Sequence, residues 1–424
     1  MPISVTHINF TDLQGGAAEV MHNLLQFQRN AGIKCTVFSA RPSRSDSNLL
    51  GFGNKNKANI LLKILQKASA IRNRIMYDIG GVCDRLYYNQ LTSSVPDIYH
   101  IHNIHGGWFS LALMPLLAEK APVVWTLHDE WAITGHCVAT LGCEGWRRGC
   151  GDCPHLDTMV SVWKDNTSDN WLKRKQIYAR ISDAGMTMVP VSKWLAHRVS
   201  ESSIWQGQTV AIPNGIDTNI FYPSDKKEAR KAIGLDLSSN IILCAAAGGT
   251  NNPFKNTELI FEILKYLQLN QKITVVLIGN ANKIYQDSKM INYVTLGHVN
   301  DRELMRKYYV ASDLVFYPTK ADTFGLIVAE AMACATPVMA SAIGGICEII
   351  EADYNGCLFA SDASAKDIAL TMKLLLENTN KLKDLSENAH STIKNKYNLD
   401  IMAQQYLNLY SSIIQKRQSQ GVAG

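Results

Sequence analysis

No run of 18 apolar residues occurs anywhere in the 424, so no transmembrane helix is read from the sequence. The opening MPISVTHINF lacks the basic start and long apolar stretch of a secretory signal, and the chain is therefore expected in the cytoplasm with reduced thiols. No strand-like run is followed by Gly-x-Gly-x-x-Gly with an acid about 20 residues later, which disfavours a dinucleotide-dependent oxidoreductase. Internal repeats and low-complexity tracts are also missing. Charge is sparse, at 19% of residues, and the net charge of +5 is N-terminal: residues 1 to 214 carry 21 Lys+Arg against 16 Asp+Glu, leaving 21 against 21 for the remainder.

Part of that excess lies in KNKANILLKILQKASAIRNR, residues 55 to 74, with six basic residues and no acidic one. Its apolar positions Ile60, Leu61, Ile64, Leu65, Ala68 and Ile71 recur at helical spacing, which turns Lys63, Lys67 and Arg74 largely to the other face. Two readings stay open: a basic helix resting on an anionic membrane surface, or an ordinary solvated surface helix.

What is present is an alternation of short apolar strand-like runs with helical patterns. ISVTHINF, GAAEVMHNLLQFQRNAG and IKCTVFSA open a β-α-β unit, and further strands are expected at 98–103, 122–128, 186–192, 241–248, 273–280, 294–299, 313–319 and 336–341. Most of these are continuous apolar runs, as in parallel sheets covered on both faces. At IPNGIDTNIFYPSDKKEARKAIGL a turn-rich stretch interrupts the alternation before it restarts. The expected fold class is α/β, with two Rossmann-like doubly wound domains facing each other across a cleft. The first spans 1–214 with a Cys-rich insert at 135–157, the second 215–399, and a helix in 400–424 packs back on the first.

ADTFGLIVAE, residues 321 to 330, sets Asp322 after a strand and Glu330 on the helix that starts near Phe324. Amides of Gly325 and Leu326 at that helix start suit a diphosphate, Glu330 suits a ribose diol, and Asp322 suits a sugar hydroxyl. Gly15 and Gly16 precede the first helix where a phosphate-facing loop is expected, and Gly344 with Gly345 form a second such loop. His128 and Asp129 end one strand, and His102 and His105 end the strand before it, a wall for an acceptor. Cys137, Cys143, Cys150 and Cys153 lie within 17 residues. In a reducing compartment this density favours a structural zinc site, with free or packed thiols and disulfides as the remaining readings. The insert has only Arg147 and Arg148 as basic residues, too few for a nucleic-acid surface, and no nucleic-acid partner is expected.

ADTFGLIVAEAMACATPVMAS resembles the E-x7-E segment of family 4 retaining glycosyltransferases of GT-B architecture, with Asp322 in place of the first Glu. VSKWLAHRV, IPNGIDTNIFYP, VVLIGN, VTLGHVNDRELMRKYYVASDLVFYP and SAIGGICEIIEADYNGCLF look like the family's successive landmarks, in order. AAAGGTNNPFKNTEL matches its Gly-Arg-x-x-x-x-Lys-Gly segment, with Lys255 kept, Gly249 where arginine is expected and Asn256 for the glycine. The Cys-rich insert resembles that of a branch related to colanic acid and other surface polysaccharide enzymes.

The resemblance implies donor contacts at Gly15, Gly16, Gly249, Lys255, Asp322, Phe324, Gly325, Leu326 and Glu330, and acceptor contacts at His105 and Asp129. Lys255 would supply charge to the leaving diphosphate. His128 would position the donor sugar and stabilise charge, and no protein nucleophile is required. The implied reaction is retaining transfer of a hexose-type sugar from a UDP- or GDP-linked donor to a hydroxyl of a lipid-linked glycan, in O-antigen, capsule or exopolysaccharide assembly at the inner membrane face. A nucleotide-sugar epimerase or a phosphorylase on the same fold is the alternative. With no Asp-x-Asp motif to chelate the diphosphate, no catalytic metal is expected.

Overall fold

The computed structural model describes residues 3–12, 15–41, 49–51, 67–68, 71, 84–181, 185–245, 252–279 and 288–419. The chain divides into two compact units, Met1–Pro213 with Met402–Gly424, and Asn214–Ile401. Gly249 lies outside the described residues, as does the basic segment 55–74 except for Lys67, Ala68 and Ile71.

In the first unit β1 (Ser4–Thr11), β2 (Lys34–Arg41), β3 (Leu49–Gly51), β4 (Ile98–Ile101), β5 (Val123–Leu127), β6 (Met186–Pro190) and β7 (Gln208–Thr209) form one sheet. Its order is β3-β2-β1-β4-β5-β6-β7, with every pairing parallel. The runs IYHI and VVWTL are buried at every position, because helices shield both faces and no alternation with polar residues is needed. The C-terminal helix Leu399–Ser419 supplies part of that cover through Tyr406 and Tyr410, both fully buried.

The second unit repeats the plan with β8 (Asn240–Ala245), β9 (Ile273–Ile278), β10 (Ile291–Leu296), β11 (Leu314–Tyr317), β12 (Val338–Ser341) and β13 (Cys357–Phe359), all parallel in the order β10-β9-β8-β11-β12-β13. Val275, Leu314, Phe316 and Met339 anchor a core against Ile260 and Ile263 of the helix Thr257–Tyr266 and Ile368 and Met372 of the helix Ala365–Glu377. Asp301 caps the helix Arg302–Ala311 by accepting from Leu304 N–H at 3.1 Å, and Ser364 caps Ala365–Glu377 by accepting from Asp367 N–H at 3.2 Å.

Both sheets reverse direction of growth beside their first strand, between β1 and β4 and between β8 and β11. Loops past the carboxyl ends of strands at such a point are where this architecture binds ligands. Four departures from the sequence reading are local: β10 begins three residues earlier than the run 294–299, and β3, β7 and β13 are additional. Each additional strand has only two or three residues, too few to show a pattern. No helix among the described residues is long and apolar enough to cross a membrane.

Candidate functional site

In the second unit the chain leaves β11 at Tyr317 and passes Asp322 before the helix Leu326–Ala333 begins. Tyr317 donates its hydroxyl hydrogen to Asp322 Oδ2 at 2.7 Å, and Lys255 Nζ stands 3.4 Å from the same oxygen. Lys255 also contacts the Tyr317 hydroxyl and lies over the Tyr317 ring, 4.4 Å from its centre. The backbone of Lys255 bridges to Thr319, which is what brings a loop after β8 beside a loop after β11. Asp322 Oδ1 accepts from Phe324 N–H at 3.2 Å. Asp322 therefore holds Lys255 and shapes the turn with both of its oxygens, rather than presenting an unoccupied carboxylate. Tyr317, which has no sequence signal beyond ending a strand, is the third member of this cluster. Its phenol is held far above the ordinary range by burial first and Asp322 second, so it stays a neutral donor.

Gly325 takes the left-handed conformation, φ 98°, at the N-terminus of Leu326–Ala333, and the amides of the helix's first turn point away from its carbonyl ladder. Phe324 is buried with its ring edge-on to Tyr397, so its side chain anchors the turn. Glu330 is buried as well and accepts from Tyr309 Oη–H at 2.8 Å, because it falls on the buried stretch Val328–Ala333 of its helix. One of the oxygens assigned from sequence to a ribose diol is thus engaged inside the unit.

Gly344 and Gly345 have a packing reason of their own. A Cβ on Gly344 would stand 1.9 Å from the Asp322 carbonyl oxygen, and one on Gly345 would stand 2.2 Å from the Thr323 carbonyl oxygen. Gly345 N–H also donates to the Asp322 carbonyl at 3.2 Å. The pair lets one backbone lie against the other and so fixes where Asp322 sits. Gly344→Ala is expected to destabilise the second unit by about 2 kcal/mol or more through backbone displacement. Urea unfolding followed by circular dichroism would show this, and an unchanged midpoint would disprove the crowding.

In the first unit Gly15, φ 91°, caps the helix Gly16–Asn30 directly after β1. A Cβ there would meet nothing within 4 Å, so the backbone angle alone calls for glycine. Past β4 and β5, His105 Nε2 lies 3.2 Å from Asp129 Oδ2, and Asp129 Oδ1 accepts from Trp131 N–H at 2.9 Å. These residues and His128 line one small cavity, as the sequence grouped them.

Behind them runs a chain of buried histidines. His128 Nε2 is 3.0 Å from His102 Nδ1, His102 Nε2 is 3.2 Å from His7 Nδ1, and His7 Nε2 is 2.8 Å from Gln28 Oε1. Gln28 Oε1 can only accept, so each neutral imidazole donates toward it in turn and His128 carries its proton on Nε2. Gln28 Nε2 donates at 3.1 Å to Tyr410 Oη, which is 2.6 Å from His100 Nδ1, and His100 Nε2 is 2.7 Å from Thr126 Oγ1. His7, His100 and His102 have ligand atoms within 4.8 Å of one another, a spacing that a metal would accept. All six of their ring nitrogens are already hydrogen-bonded within the protein, and the arrangement reads as a proton-ordered network.

Burial lowers the His7 pKa to about 4 and holds those of His100 and His102 well below the usual range. His128 is pulled down by burial too, with Asp129 opposing. His128 is therefore a neutral imidazole at neutral pH. A neutral His128 would stabilise charge through an oriented hydrogen bond. His102, expected on an acceptor wall, is buried with both nitrogens engaged in the chain.

The four cysteines of the insert are free thiols around one cavity, joined there by His136, which the sequence reading passed over.

Two parallel sheets in this strand order, each with polar groups gathered past the strand ends at its reversal point, define a two-domain, doubly wound α/β protein. Residues 14–220 match the Glycosyltransferase Family 4 model and residues 225–392 the Glycosyl transferases group 1 model, so between them the two models span most of the chain. The chain belongs to the family 4, group 1 glycosyltransferases, and it is a glycosyltransferase.

It is 23% identical over 369 residues to the Escherichia coli K12 protein WcaC, described as a colanic acid biosynthesis glycosyl transferase, covering 82% of this chain and 85% of that protein. The fold is that of the sucrose-phosphate synthase of Thermosynechococcus elongatus, with TM-score 0.69, 16% identity and coverage of 98% and 100% of the two chains. The Anabaena protein HepE, solved in complex with UDP-glucose, shares it with TM-score 0.63, 16% identity and coverage of 97% and 100%.

Proposed function

We propose that this glycosyltransferase moves a hexose-type sugar, with retention of configuration, from a UDP- or GDP-linked donor to a hydroxyl of a lipid-linked glycan during surface polysaccharide assembly. The observation that carries the reading is the Lys255, Tyr317 and Asp322 cluster beside the amino end of Leu326–Ala333. A diphosphate leaving group gains negative charge as the glycosidic bond breaks, and a lysine cation with helix-start amides answers that charge. Tyr317 and Asp322 hold the ammonium in place before the ligand arrives, so little reorganisation accompanies the reaction.

Retention then follows from attack on the face the diphosphate leaves, with a phosphate oxygen taking the acceptor proton and no carboxylate serving as nucleophile. His128, which meets the buried His102 through Nε2, would position the donor sugar beside Asp129. The likeness to WcaC supports a surface polysaccharide acceptor, and the UDP-glucose bound to HepE supports a nucleotide-sugar donor.

UDP, GDP and ADP, each at about a hundred times its Kd, would stabilise the protein by about 2.7 kcal/mol where it binds. A thermal-shift series is expected to single out UDP or GDP, with the shift reduced in Glu330→Ala. The anomeric configuration of the product, read by NMR, is expected to match that of the donor. An inverted anomer would refute retention, and nucleotide released without acceptor, or only with phosphate, would refute transfer to a glycan.

A further inference from the structure

Between β5 and the helix Thr167–Tyr178 the chain runs through about 40 residues that form only two single turns of 3-10 helix, Trp131–Ile133 and Gly145–Arg147. This segment turns tightly: Cys150 and Asp152 adopt positive φ, 60° and 45°, beside Gly149 and Gly151, which do the same. Cys137, Cys143, Cys150 and Cys153, separated by up to 16 positions of sequence, are brought to the walls of one cavity of about 20 Å³. That is room for a single water-sized body.

Two of the sulfurs are approached by backbone amides: Gly145 N–H donates to Cys143 Sγ at 3.4 Å, and Gly135 N–H donates to Cys150 Sγ at 3.2 Å. Amide donors on sulfur favour thiolates, and such outer hydrogen bonds accompany metal-bound cysteines. His136 Nδ1 donates to the Val160 carbonyl at 2.9 Å, which turns Nε2 toward Cys153 Sγ at 3.3 Å. Four thiols line one ion-sized cavity and none of them is in a disulfide, but no three of the sulfurs stand within 4.8 Å of one another, so an ion would have to draw them inward.

We propose that the cavity binds one zinc ion through the thiolates of Cys137, Cys143, Cys150 and Cys153. Tetrahedral Zn–S bonds of about 2.3 Å would draw the sulfurs to about 3.8 Å of one another. Each ligand must lose a proton on binding, so uptake releases protons and strengthens with rising pH. The ion would staple the segment that follows His128. Glu130 N–H donates to the Val138 carbonyl at 3.0 Å, and Glu130 Oε2 accepts from Thr140 N–H at 2.8 Å, so the metal-bound loop and the strand end that carries His128 and Asp129 are tied together.

The full chain, purified with a thiol reductant and dialysed against metal-free buffer, is expected to hold about one zinc by elemental analysis. A mercurial that titrates thiols should release it in proportion. Cobalt in its place should give the thiolate charge-transfer band and intense d–d bands of a tetrahedral four-sulfur site, a readout that needs no variant. Cys150→Ser with Cys153→Ser should abolish retention of the metal, while Cys244→Ser, in a strand of the other unit, should keep it. Less than about a tenth of a zinc per chain, or disulfides among these cysteines by mass spectrometry, would overturn the proposal. Zinc lost in His136→Gln but kept in Cys137→Ser would overturn the four-thiolate ligand set.

Discussion

Lys255→Ala is expected to lower kcat/KM for sugar transfer about a hundred- to a thousand-fold, the range seen when one preorganised electrostatic partner of a developing charge is removed. Nζ is the cation of the cluster: its neighbours Asp322 and Tyr317 contribute an anion and a neutral donor, so neither of them replaces the charge. The loss should fall mainly on kcat, because the diphosphate is more negative in the transition state than in the bound donor. Lys255→Arg should recover part of it, limited by a planar guanidinium in a place built for a compact ammonium over the Tyr317 ring. Tyr317→Phe keeps the cation but frees it from its anchor, and a smaller decrease is expected. Steady-state kinetics with the donor identified by thermal shift would check all three. A loss under about threefold in Lys255→Ala would separate Lys255 from the leaving group.

The cluster shows how far residue order alone carries. Lys255 and Asp322 were found in the sequence because they sit in segments with a recognisable pattern, and the structure brings them together over 67 positions. Tyr317 was not, since a tyrosine closing an apolar strand looks like every other core aromatic. Gly344 and Gly345 resemble a phosphate loop in sequence because glycine pairs before helices often are one. Their crowding against the carbonyls of Asp322 and Thr323 is a tertiary fact that no local pattern encodes. The sheets were legible because parallel strands bury both faces and leave continuous apolar runs, whereas the two- and three-residue strands at or near the sheet edges leave none.

The histidine chain had a partial signal. His100 in β4 and His102 just past its end are two apart and so project to one side, and His7 of β1 pairs in register with His100. Reading that pair of strands together would have placed three imidazoles in contact.

That chain is expected to make the first unit acid-labile. A neutral histidine accepts at one nitrogen and donates at the other. A protonated one donates at both, and in this chain one of its protons would then face another donor. Burial outweighs the groups around the chain: the Gln28 hydrogen bond favours protonation of His7 and Arg29 opposes it, the histidines act against one another, and Asp129 favours protonation of His128. The unfolded chain takes up these protons below about pH 6.5, while folded His7 does so only near 4. Between those values the unfolded state binds more protons, so stability falls as pH falls and levels out near the folded pKa. His7 alone then costs about 2 kcal/mol between pH 7 and pH 5, and His100 and His102 add to it in the same direction. All eight tryptophans lie between residues 108 and 205, so their fluorescence reports on the first unit alone. Urea unfolding followed by that signal at a series of pH values is expected to show a midpoint that drops steeply from pH 7 to pH 5, with the His7 share levelling out near pH 4. His7→Gln should make the pH slope shallower by about one proton. A midpoint that stays level between pH 7 and pH 5 would mean that the buried imidazoles are charged in the folded protein, and the proton order that sets the His128 tautomer would fail with it.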